Sequence, residues 1–95
     1  MAVPMAMIAV FLNIDEERIV PALQEAGGNL DSAQGEAVLD FSSVHRIEAS
    51  GLRALEEFAR IADEKSVKVV LRKVNVDVYK VLKLIKLARR FSFVN

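Results

Sequence analysis

The chain has 95 residues, 53 % of them hydrophobic and 27 % charged, with thirteen basic and thirteen acidic side chains and no cysteine. That length suits one domain with a thin core, and the composition excludes intrinsic disorder, a disulfide framework, a thiolate nucleophile and a zinc–thiolate site. Neutral overall charge and few aromatics argue against nucleic-acid or anionic-surface binding, yet residues 1–45 carry −6 and residues 46–95 carry +6, an asymmetry able to orient a partner.

Met7–Leu12 is a short apolar run that reads as a buried strand. It is shorter than a membrane span, and the apolar opening Met1–Leu12 has no Lys or Arg to make it a signal peptide. A cytoplasmic protein without membrane insertion is the expectation. Asn13 and Glu16 have the spacing of a capping box. Beyond them Ile19, Val20, Leu23 and Ala26 share one helical face, and Gly27-Gly28-Asn29 stops that helix. Pro21 means either a kink or a helix that begins close to it.

Leu30–Glu36 is a polar loop, and Ala37–Phe41 is a second buried strand. A turn over Ser42–Ala49 leads into the clearest amphipathic helix, which carries Leu52, Leu55, Phe58, Ala59 and Ala62 and ends near Lys65-Ser66. Val67–Leu71 is a third strand. Val76–Arg90 is read as one helix with Val78, Val81, Leu82, Ile85 and Ala88 on its core face. Leu84 and Leu87 then fall off that face, marking a candidate apolar contact whose double replacement by Glu should leave the fold intact. Lys80, Lys83, Lys86 and Arg90 line the outer side of the same helix. Ser92–Val94 adds a short last strand. Alternation of this kind predicts a single α/β domain over residues 1–95, with a mixed sheet of about four strands flanked by helices.

Chemistry has few places to sit. His45 is the single histidine and falls in a turn, where a surface role is the plain reading. Glu56-Glu57 and Asp63-Glu64 are adjacent on a helix and therefore point apart. No phosphate-binding glycine pattern occurs. No catalytic residue, metal site or cofactor is expected. The informative stretch is Asp40–Leu55, where a strand ends, a turn follows and a helix starts around Glu48–Ser50. Amides at a helix start lack intrahelical acceptors and favour negative charge. A serine there can cap the helix, and a phosphorylated one would be stabilised by the same amides.

Val38-Leu39-Asp40-Phe41-Ser42-Ser43-Val44 followed by Ile47-Glu48-Ala49-Ser50-Gly51-Leu52 resembles the STAS family. That family carries V-x-L-D-hydrophobic-S-x-V, a short turn, then D-S-S-G-L or D-S-T-G-L opening a long helix. Val67–Leu71 looks like its V-x-L-V-L strand. Val76–Ala88 is similar to its V-x-x-V-L-x-L-x-G-L helix, so the resemblance spans about residues 37–94. Many members begin with a two-stranded hairpin, whereas one strand is evident here.

The resemblance implies a non-enzymatic regulatory module similar to anti-sigma-factor antagonists, which bind a kinase-type anti-sigma factor and are released by phosphorylation just after the motif's Asp. Carried over residue by residue, Glu48 replaces that Asp, Ala49 takes the phosphoacceptor position, and Ser50 matches the second hydroxyl residue. Glu48, Ala49, Ser50, Gly51 and Arg53 are thus the implied partner-binding residues, with Ser50 the candidate phosphorylation site. The implied partner is a serine-kinase-type ATP-binding protein. The family also supplies subunits of lipid-transporting ABC complexes, for which the partner would be the transporter ATPase.

Overall fold

In the computed structural model, which describes residues 9–30 and 35–94, strands and helices alternate in the expected order. β1 is Ala9–Asn13 and α1 is Ile19–Gly28, entered through a 3-10 turn at Glu16–Arg18. β2 is Glu36–Asp40, α2 is Ala49–Glu64 and β3 is Lys68–Arg72. α3 is Val76–Leu84, a second 3-10 turn covers Ala88–Arg90, and β4 is Ser92–Val94. Met7 and Ile8 of the expected first strand, residues 31–34 of the polar loop, and the question of a second early strand lie outside the described residues.

The four strands lie side by side in chain order, β1-β2-β3-β4. All three pairings are parallel, with Leu12 opposite Leu39, Leu39 opposite Leu71 and Leu71 opposite Phe93. The mixed sheet expected from the sequence is therefore parallel throughout its described strands. A helix between successive strands carries the chain back to the same end each time, which leaves no antiparallel pairing. Crossovers of one hand, stepping one way across a sheet, put their helices on one face. The core agrees: Ala37, Leu39, Val69 and Leu71 form one cluster with Leu23 and Ala26 of α1, Leu55, Phe58, Ala59 and Ala62 of α2, and Val78 and Leu82 of α3. Val70, on the alternate side of β3, is buried yet stands outside that cluster.

Helices α1 and α2 run in the same direction and touch at both ends. Ile19 meets Gly51 near their starts, and Gly27 meets Phe58 and Ile61 further along. A Cβ on Gly51 would lie 3.0 Å from Ile47 Cγ1 and 3.2 Å from Ile19 Cγ2, so glycine sets this approach. Pro21 causes no kink. It is the third residue of α1, inside the first turn, where a backbone N–H would have no intrahelical acceptor. Asn13 is the last residue of β1 and no cap; Asp15 accepts from Glu17 N–H instead.

The helix read as Val76–Arg90 stops at Leu84. Lys86 takes φ 63, its N–H donates to Lys83 O at 3.1 Å, and Leu87 N–H donates to Leu82 O at 2.8 Å. This pair of bonds is a Schellman closure with buried Leu82 and Leu87 in the accompanying apolar contact positions. α2 ends the same way through Ser66, with φ 57, and bonds from Ser66 to Asp63 and from Val67 to Ala62. Both left-handed positions hold side-chain residues where glycine is usual. Because the chain turns at Lys86, Leu87 swings into the core at 3 % exposure while Ile85 is 49 % exposed. The assignment of Ile85 to the core and Leu87 to the outside is thus reversed. Leu84, at 81 %, does face out.

Candidate functional site

The segment between β2 and α2 crosses the carboxyl ends of the parallel strands. Two buried side chains, Phe41 and Val44, anchor it from below, while Ser42, Ser43, His45 and Arg46 face solvent. Asp40, only 8 % exposed, starts the turn: its Oδ1 accepts from Ser42 N–H at 2.8 Å and its Oδ2 accepts from Arg72 Nη1 at 3.1 Å. Hydrogen bonds from Ser42, and after them the nearby Arg72 and Lys73 charges, hold the Asp40 carboxyl below its ordinary value. Val44 N–H closes the turn on Phe41 O at 2.9 Å.

Two brackets then fix the exposed part of the loop. From the β1–α1 connection, Glu16 Oε1 accepts the N–H groups of His45 at 2.5 Å and Arg46 at 3.1 Å. From the start of α3, Asn75 Nδ2 donates to His45 O at 3.0 Å, while Asn75 Oδ1 accepts from Val78 N–H and caps α3. Sequence reasoning missed both residues as parts of the site. The signal for Asn75 was its position three residues before Val78. Glu16 was assigned to a local cap, and its contact with a loop some thirty residues away has no sequence signature. Those amide bonds lower the Glu16 pKa.

Beyond the loop, Glu48 is the N-cap of α2, extended and without a side-chain capping bond. Leu52 N–H closes the first turn on Glu48 O at 2.9 Å. Ala49, Ser50 and Gly51 are the first three helical residues, so their amides have no intrahelical acceptor. Ser50 is not the cap considered from the sequence; it is the second residue of the helix. Glu48, Ala49, Ser50 and Arg53 are exposed together along the helix start, whereas Gly51 is buried beneath Ile19 and Ile47. A notch of about 430 Å³ opens beside them, between Glu16, Pro21, Arg46, Glu48 and Ser50.

His45 Nδ1 lies 3.7 Å from Glu16 Oε1, with the imidazole 79 % exposed. Among the described residues no group of three or more His, Asp or Glu side chains is placed to hold a metal ion. Glu57 and Glu64 both bond Arg60, and Asp63 bonds Arg90 at 2.6 Å, so those carboxylates knit the outer face of α2. Among the described residues no helix is long and apolar enough to cross a membrane.

A turn anchored by a buried aspartate, followed by a helix whose amino end is exposed, is the arrangement implied by the motif at Asp40–Leu52. The family model for the STAS domain matches residues 13–95. The chain belongs to the STAS family. No curated protein matches it. Its fold is shared with a candidate anti-sigma factor antagonist from Thermotoga maritima, at TM-score 0.74 and 17 % identity, covering 92 % of this chain and 79 % of that one. It is also shared with a sulfate transporter family protein from Wolinella succinogenes, at TM-score 0.80 and 17 % identity, covering 99 % and 80 %. The STAS domain of a SulP transporter from Vibrio cholerae gives TM-score 0.78 and 16 % identity, covering 99 % and 77 %. At such identities the likeness is one of fold. This STAS domain thus resembles antagonist and transporter members alike.

Proposed function

We propose that residues 1–95 form a single cytoplasmic protein-binding module that works by docking and not by catalysis, with the exposed start of α2 as its contact surface. The observation that carries this reading is the joint exposure of Glu48, Ala49, Ser50 and Arg53 on a loop–helix junction braced by Glu16 and Asn75. A braced surface loses little conformational entropy on binding. In the first reading the partner is a kinase-type anti-sigma factor, as the family motif implies. Ala49 has no hydroxyl, so the phosphate switch at that position is absent and the domain binds constitutively unless Ser50 accepts the phosphate instead.

A second reading has the domain serving a membrane transporter, either the ATPase of a lipid-transporting ABC complex or another transport protein. Two fold neighbours described as transporter proteins favour it. Photo-crosslinking from a benzophenone side chain placed at Arg53, in the source organism, tests both. Capture of an ATP-binding kinase-fold protein supports the first, and capture of a transporter subunit supports the second. A crosslinking pattern that is the same from a probe placed on the far end of α2, at Glu64, removes the α2 start as the contact surface. Intact mass of the native protein, with fragmentation, shows whether Ser50 carries phosphate.

A further inference from the structure

After Asp77 the chain changes character: residues 78–95 contain five basic side chains and no acidic one. Lys80, Lys83, Lys86 and Arg89 are exposed, and none has a carboxylate partner among the described residues. Arg90 reaches back to Asp63. Between these cations stand apolar side chains left uncovered, Val76 at 66 %, Leu84 at 81 % and Ile85 at 49 % exposure. Helical spacing puts Val76, Lys80 and Leu84 in one row, with Lys83 beside it, and Lys80, Lys83 and Leu84 line a shallow depression. Lys86 follows at the left-handed turn, a position that favours glycine.

The chemistry of this face selects its occupant. Protein interfaces are rich in aromatic side chains and arginine at their centres and poor in lysine; this patch is centred on Lys80, Lys83 and Lys86 with Leu84 and Ile85, while Tyr79, 39 % exposed, and Arg89 flank it along the chain. An anionic bilayer matches it on both counts. Lipid phosphates attract the ammonium groups, the lysine stems lie along apolar surface, and Leu84 and Ile85 reach the boundary between headgroups and acyl chains. Zero net charge for the whole chain does not oppose this: on α3 the one acidic side chain is Asp77, a turn from Lys80, against the cations of Lys80, Lys83 and Lys86, and acidic groups more than a Debye length away are largely screened. We propose that the end of α3, with Lys80, Lys83, Leu84, Ile85 and Lys86, is a reversible docking surface for an anionic phospholipid membrane. The proposal stands apart from the α2 reading, since none of the variants below touches Glu48–Arg53.

The test is co-sedimentation of the full chain with vesicles of phosphatidylcholine alone and of equal parts phosphatidylcholine and phosphatidylglycerol. Binding is expected to the anionic vesicles only, and to weaken as salt rises. Lys80→Gln with Lys83→Gln should lower the partition by about tenfold or more, Lys80→Arg with Lys83→Arg should retain it, and Leu84→Ser should lower it severalfold. Thermal melts confirm that each variant is folded. Failure of the folded wild type to bind anionic vesicles overturns the proposal, as does equal binding to neutral ones or indifference to the Leu84 and lysine replacements. Binding to a polyglutamate peptide in place of vesicles would also overturn it and reassign the face to an acidic protein.

Discussion

The main-chain N–H of His45 donates to Glu16 Oε1 at 2.5 Å, joining two residues 29 apart in sequence. One carboxylate before α1 therefore sets the path of the loop that leads into α2. Replacing it with Glu16→Ala should speed amide hydrogen exchange at His45 and Arg46 while leaving α2 protected, and Glu16→Gln, which keeps a neutral acceptor, should have the smaller effect. Unchanged exchange in the alanine variant would show that the loop holds itself.

The same bond makes the loop acid-sensitive. The His45 and Arg46 amides hold Glu16 below its ordinary value of 4.5, and Ser42 holds Asp40 below 3.8. A depressed carboxyl stabilises the native state above its unfolded pKa, and that contribution is lost as pH falls through the lower, folded value. Amide shifts of Ser42, His45 and Arg46 should accordingly be flat near neutrality and move only in acid below those ordinary values. A midpoint at or above 4.5 for the His45 and Arg46 amides would contradict the Glu16 bracket.

Two glycines offer opposite outcomes. Gly51→Ala forces a methyl against Ile47 and Ile19 and should cost about 1–2 kcal/mol in urea unfolding. Gly28→Ala meets nothing within 4 Å in a helical residue and should gain about 0.5–1 kcal/mol. Equal effects of the two would mean that the α1–α2 approach is not set by Gly51.

Leu84 and Leu87 should behave as opposites too. Leu87→Ala opens a hole in the core and should cost about 2–4 kcal/mol, and Leu87→Glu should unfold the domain. Leu84→Glu should change stability by less than about 0.5 kcal/mol. The double replacement expected from the sequence to be tolerated is thus predicted to unfold. A folded Leu87→Glu protein would restore the longer helix.

Lys86→Gly should raise stability by about 1 kcal/mol, because an L side chain in the left-handed region is disfavoured by that order. Urea midpoints with unchanged slope are the measurement. A loss of stability would show that the lysine stem makes packing contacts that outweigh the backbone term.

Strand and helix order was legible because apolar runs and amphipathic stripes are local. Ser92–Val94 and the start of α3 at Val76 were placed as found. The end of α3 was not, since periodicity at Leu82, Ile85 and Ala88 continues through a turn that Lys86 makes without the glycine that would have flagged it. The parallel sense of the sheet was only partly readable: alternation allows crossovers, but strand direction depends on where each helix returns the chain. Near the loop, Glu48–Arg53 could be placed at a helix start because it lies on a motif, whereas Glu16 and Asn75 act through space on main-chain atoms, where residue type says little about the partner.

Strands that neighbour one another in space in the order of their synthesis also bear on how this chain acquires its structure. Among the described strands, each new one completes its pairing along an edge already present, and none must be inserted between two earlier ones. The described sheet is thus compatible with growth from the amino-terminal side during translation, each βαβ unit closing as its second strand emerges, and β4, three residues long, seats after the other three described strands.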